Sequence, residues 1–140
     1  MVKAQMKNIL LVDDDRDLSS SLANLFDSDK FNCKFLEDGT EVPRFVSNHE
    51  DIDVVMLDVN LPSMSGLEVL RQIKQIRDQL PVIVISGFVS TENAIEAMRE
   101  GAFEYLTKPF QIEKLIDTVT KACGYSAPGR RVSPAAAETN

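Results

Sequence analysis

Three consecutive aspartates, Asp13, Asp14 and Asp15, follow directly on the apolar run Ile9 to Val12. Like charges this close repel, and burying them is costly unless a cation or hydrogen bonds compensate. Three later apolar runs also end on residues able to do chemistry. Val54 to Leu57 ends at Asp58, Val82 to Ile85 ends at Ser86, and Tyr105 to Thr107 is followed by Lys108. Carboxylates, a hydroxyl and an ammonium form an oxygen-rich set with no histidine or cysteine among them. Such a set suits a hard divalent cation, and Mg2+ prefers a few carboxylates while keeping several waters. A cation held beside a lysine neutralises charge on a transferring phosphoryl group. The sequence contains neither GxxxxGK[ST] nor GxGxxG, so a phosphoryl donor must arrive on its own carrier. A carboxylate needs no general base to act as a nucleophile near neutral pH, and Asp58 is the best candidate for that role.

These residues can meet only if the elements between them bring the strand ends to one edge. Leu18, Leu22, Leu25 and Phe26 recur at helical spacing over Asp17 to Phe26, and Phe31 to Leu36 reads as a second strand closed by the turn-forming EDGT. A helix is predicted from Thr40 to about His49, with Pro43 tolerated in its first turn. LPSMSG reads as a loop, and Leu67 to Ile76 returns to helical spacing. Thr91 to Glu100 is helical, with Ala94, Ala97 and Met98 on one face and Gly101 as the stop. Ile112, Leu115, Ile116 and Val119 form the last helical stripe. Strand and helix alternate five times. Short continuous apolar strands separated by helices predict an α/β protein with a doubly wound parallel sheet covered on both faces. In such a sheet the carboxyl ends of the strands share one edge, where ligands bind.

The chain has 140 residues, enough for one domain with a sizeable core. Its net charge of -7, from 15 basic and 22 acidic residues, argues against direct binding of nucleic acid and fits a cation site or a basic partner. Cys33 and Cys123 have no CxxC spacing and read as small apolar residues in a reducing compartment. The first apolar run is too short for a signal peptide or a membrane span, so a cytoplasmic location is expected. Residues 1–123 form the expected domain. Residues 124–140, GYSAPGRRVSPAAAETN, lack periodicity and are expected to be a disordered tail or linker.

The segments ILLVDDD (9–15), VVMLDVNLPSMSG (54–66), VIVISG (82–87) and GAFEYLTKPF (101–110) together closely resemble the receiver domain of two-component response regulators. The resemblance covers about residues 7–123. It implies a flavodoxin-like five-stranded sheet of order 2-1-3-4-5 with five helices. It also implies that Asp58 takes a phosphoryl group from a phosphohistidine on a sensor histidine kinase or phosphotransfer protein. Asp14 would ligate Mg2+ directly and Asp13 mostly through water, with Asp58 and the backbone carbonyl of Asn60 completing the set. Lys108 would pair with the phosphoryl group or with Asp58, and Lys108-Pro109 would be a cis peptide. Ser86 and Tyr105 would be the switch pair. The output would be carried by the face of the fourth helix, fifth strand and fifth helix, which would bind a partner or output domain, or pair two phosphorylated receivers. Asp15 is expected to start the first helix, where a carboxylate is favourable. Two departures stand out. Ser86 replaces a common Thr and so lacks the methyl that restricts its rotamer, and Leu61 replaces a common Met. Phe88, two residues past Ser86, is a position that often influences how fast the phosphoryl group is lost.

Bland readings stand beside these. Asp58 alone could be a helix cap, Lys108 a surface lysine, Tyr105 an edge-strand aromatic, and His49 a polar helix-end residue. The alternative function is a haloacid-dehalogenase-like Mg2+-dependent phosphatase. Those enzymes expect DxDxT, and here DVNLP places Asn60 and Pro62 at the second Asp and the Thr. A passive EF-hand-type cation module fits less well, because DVNLPSMSG does not match that loop. The expected protein is a phosphorylation-controlled switch that catalyses only its own phosphorylation and dephosphorylation, not a conventional turnover enzyme. It would be a single-domain regulator or the receiver module of a larger one.

Overall fold

The computed structural model describes residues 6–26, 30–87 and 90–125. Phe88 and residues 126–140 lie outside the described residues. The elements alternate as expected: β1 (Lys7–Val12), α1 (Arg16–Phe26), β2 (Phe31–Leu36), a 3-10 turn (Gly39–Glu41) leading into α2 (Val42–Asn48), β3 (Ile52–Asp58), α3 (Gly66–Ile76), β4 (Val82–Ser86), α4 (Thr91–Arg99), β5 (Glu104–Thr107) and α5 (Ile112–Tyr125). All five strands are parallel, in the order β2-β1-β3-β4-β5.

Period-two alternation splits the core into two layers. Leu10, Val12, Val55, Leu57, Val82 and Val84 face one side, where they pack with Val42 and Val46 of α2, Val69, Leu70 and Ile73 of α3, and Ala97 of α4. Their neighbours Ile9, Leu11, Val54, Met56, Ile83 and Ile85 face the other, against Leu22 and Phe26 of α1 and Leu115, Val119 and Ala122 of α5. Burial on both faces explains why the strands read as continuous apolar runs. Cys123 is buried and Cys33 partly buried, both in the second layer.

Local signals set the element ends. The Asp15 carboxylate accepts from the Leu18 amide at 3.2 Å, so Asp15 starts α1 as expected. Pro43 lies in the first turn of α2, after a 3-10 turn rather than in one helix running from Thr40. His49 is the exposed C-cap of α2 and stacks on Phe45. Gly101 takes φ +99, a left-handed conformation that suits glycine, just past α4. α5 continues through Gly124 and Tyr125, two residues into the segment expected to be tail or linker, because the helix runs on past its buried Ala122 and Cys123. The face of α4 that carries Ala94, Ala97 and Met98 buries only Ala97 completely, and Met98 is 50% exposed. Ile112, first in the stripe of α5, is 49% exposed. Among the described residues, no helix is long and apolar enough to cross a membrane.

Candidate functional site

The sheet register brings the opening residues together. Val12 pairs with Leu57 across β1 and β3, so the next step along each strand sets Asp13 beside Asp58. Asp58 pairs with Ile85, and Ser86 with Thr107, which precedes Lys108. The carboxylates of Asp13, Asp14 and Asp58 offer oxygens that all lie within 4.8 Å of one another. Asp13 and Asp58 are buried and Asp14 is exposed. The donors are all hard oxygens, clustered at a strand edge with one side open to water, so the triad is able to hold a metal ion.

Lys108 binds two of the three carboxylates. Its ammonium lies 3.1 Å from Asp13 Oδ2 and 3.2 Å from Asp58 Oδ2. Its amide donates to the Ser86 carbonyl at 2.7 Å, which anchors the lysine to the end of β4. The other oxygens of the two buried acids are held locally: Asp13 Oδ1 accepts from the Asp15 amide at 2.8 Å, and Asp58 Oδ1 from the Asn60 amide at 2.9 Å. Burial raises the Asp13 carboxyl above its ordinary range, with the nearby Asp58 charge adding to the effect. The Asp15 amide and Lys108 offset part of it. Burial alone would lower the Lys108 ammonium, but its contacts with Asp13 and Asp58 hold it above its ordinary range. Lys108 is thus the standing counter-charge of the acidic pair.

The remaining predicted residues occupy the same edge or lie just beneath it. Ser86 is fully buried at the end of β4. Asn60 is exposed on the loop after β3. Tyr105, opposite Val84, packs against the α2–α3–α4 core layer, and its buried hydroxyl has no hydrogen-bond partner among the described residues. Lys108-Pro109 is a cis peptide. Asp58 is not a helix cap, since α3 starts only at Gly66, behind its own N-cap Ser65, whose hydroxyl accepts from the Leu67 amide.

The sequence reading missed two contributions. Gly66 was read only as part of a loop, yet a Cβ there would stand 2.2 Å from the Asp58 carbonyl oxygen and 2.6 Å from the Val59 Cα. Only glycine lets α3 begin directly against the backbone that carries Asp58. The contact of Lys108 with Asp13 was also unforeseen, because the two are far apart in the chain and only the sheet register joins them.

The response regulator receiver domain family model matches residues 9–120, and the chain belongs to that family. It is similar to the response regulator MprA of Mycobacterium sp. (strain KMS), with 36% identity over 108 residues, which are 77% of this chain and 46% of that protein. The chain thus spans about half the length of the curated relatives it matches. A receiver domain protein from Clostridium thermocellum, known from its crystal structure, matches with a TM-score of 0.79 and 35% identity over 85% of this chain and 95% of that one. A chain of the CheX-CheY-BeF3-Mg+2 complex from Borrelia burgdorferi matches with a TM-score of 0.77 and 30% identity, covering 82% of this chain and 87% of that one. A receiver domain is part of a two-component system, implies a partner kinase and is not a conventional turnover enzyme. Family membership sets aside the phosphatase alternative.

Proposed function

We propose that this chain is a phosphorylation-activated switch whose phosphoacceptor is Asp58. The observation that carries this reading is the shared position of Lys108, 3.1 Å from Asp13 and 3.2 Å from Asp58 inside an acidic triad at the strand edge. The donor is a phosphohistidine on a sensor histidine kinase or phosphotransfer protein, met by this chain in the cytoplasm. Asp58 Oδ2 forms the new O–P bond as the P–N bond to histidine breaks, while Oδ1 stays fixed by the Asn60 amide. Lys108 follows the negative charge from the carboxylate to the phosphoryl oxygens. Asp13 and Asp14, with Asp58 and the Asn60 carbonyl, would hold Mg2+. When bound, that ion supplies charge neutralisation at the phosphoryl oxygens.

Phosphorylation adds about -1.5 to -2 charge and strong acceptor oxygens. The Ser86 hydroxyl donates to one of them, and Tyr105 responds behind it. The Tyr105 hydroxyl, without a hydrogen-bond partner among the described residues, supports this, because none of them gives that side chain a polar anchor. The change biases two populations of the α4–β5–α5 face. Exposed Ile95 (48%) and Met98 (50%) on α4 support that face as the site for an output partner or a second phosphorylated receiver.

The test is stoichiometry. Acetyl phosphate with Mg2+ should add one phosphoryl mass and no second to the intact chain, labile to hydroxylamine. A second phosphoryl group on the chain, or addition to Asp58→Asn, would defeat the reading.

A further inference from the structure

The loop between β3 and α3, residues 59–65, carries Asn60, whose carbonyl is the backbone oxygen of the proposed Mg2+ set. Backbone bonds close the base of this loop. The Val59 amide donates to the Ile85 carbonyl at 2.9 Å, and the Gly66 amide to the Val59 carbonyl at 2.8 Å. Its tip is held by a different element. The Ser63 hydroxyl donates to Asp38 Oδ1 at 2.5 Å, across to the turn that links β2 to α2. The same oxygen accepts from the Thr40 amide at 2.9 Å and the Thr40 hydroxyl at 2.8 Å. These donors, Ser63 foremost, lower the Asp38 carboxyl below its ordinary range. Asp38 therefore stays ionised and can only accept, so Ser63 must donate.

Gly39 closes on the same loop through apolar contact. It is buried, and a Cβ there would lie 3.0 Å from Leu61 Cδ1 and 2.9 Å from Val69 Cγ2. Leu61 and Ser63 are thus both fixed by the Asp38–Gly39 turn, and Pro62 between them has its φ locked by its own ring. Fixing these residues restricts rotation of the Asn60–Leu61 peptide, the one that supplies the carbonyl. Ordering a ligand before binding removes that cost from the binding step.

We propose that Asp38 and Ser63 are positioning residues for the cation site, and that their hydrogen bond pre-orders the loop carrying the Asn60 carbonyl. The proposal rests on the reading of the triad as a Mg2+ site. Ser63→Ala is the informative variant, because it cuts the bridge and leaves Asp38 bonded to Thr40.

Calorimetric titration with MgCl2 compares the full wild-type chain with Ser63→Ala and Ser63→Thr, alongside thermal melts without metal. Ser63→Ala should weaken the Mg2+ Kd about fivefold. Its metal-free melting temperature should stay within about 2 °C of wild type, as for an ordinary surface substitution. Ser63→Thr keeps the hydroxyl and should keep the wild-type Kd. Wild-type Mg2+ binding with an unchanged constant in Ser63→Ala overturns this proposal alone. So does a large loss of metal-free stability in Ser63→Ala, which marks a merely structural role, or a Ser63→Thr variant as weak as Ser63→Ala. Absence of Mg2+ binding by the wild type overturns the triad reading and this proposal with it.

Discussion

Replacing Lys108 with methionine keeps the length of the apolar stem and deletes the cation shared by Asp13 and Asp58. At 3.1 and 3.2 Å, the gross attraction is about 5 kcal/mol to each carboxylate at an effective dielectric of about 20. Most of that is offset by the cost of bringing the charges out of water. Removing one partner of a buried pair costs about 3–5 kcal/mol, because the other charge is left uncompensated. The lysine side chain is 26% exposed, so water can partly rehydrate the pair and the low end of that range applies. Lys108→Met should therefore destabilise the metal-free protein by about 3 kcal/mol. Mg2+ should reverse most of this loss, because the variant presents two unneutralised carboxylates to the ion and binds it more tightly. The assay is urea unfolding followed by far-ultraviolet circular dichroism, with and without millimolar Mg2+. An equal stability gap under both conditions would refute the reasoning, since Lys108 would then act through packing and not as the counter-charge of the acidic pair.

Tyr105→Phe removes a buried hydroxyl that has no partner among the described residues and should stabilise the protein by about 1 kcal/mol; a loss of stability in urea unfolding would contradict it. Gly66→Ala forces a Cβ to within 2.2 Å of the Asp58 carbonyl oxygen and should lower stability by about 1–3 kcal/mol; a neutral result would show that α3 shifts freely. Burial, aided by the Asp53 charge, raises the Cys123 thiol to about 11, with Lys7 offsetting part of the effect. Because the native thiol keeps its proton after an unfolded one has lost it, this contribution to stability is complete below about pH 9 and is lost as pH rises through about 11. Iodoacetamide at about pH 9 should accordingly label Cys123 only in urea, and rapid labelling of the folded chain would contradict the burial.

The strands and the acidic edge were legible because each apolar run ends on a residue of distinct chemistry, and a two-sided parallel sheet must place those ends together. The resemblance supplied the strand order, which periodicity alone does not. What helical spacing could not tell was which apolar residues are covered. Ile112 and Met98 fall on regular stripes, yet both are half exposed, because spacing defines a face and not what packs on it. The end of α5 was also unclear, since a glycine-containing tail reads as loop while a packed helix tolerates Gly124 in its last turn. Asp38 read only as part of a turn. Its bond to Ser63 joins residues 25 positions apart, and such a contact leaves no local mark. The same holds for Lys108 and Asp13, 95 positions apart.

The central claim is that Asp58 alone accepts the phosphoryl group. An acyl phosphate can be reduced by borohydride at its carbonyl carbon, which marks the modified aspartate permanently as homoserine. After treatment of the chain with acetyl phosphate and Mg2+, reduction and peptide mass spectrometry should find that mark at position 58 and nowhere else. It should disappear in Asp58→Asn. A mark at Asp13 or Asp14, a hydroxylamine-resistant phosphate on Ser86, or a phosphoryl mass retained in Asp58→Asn would contradict the account.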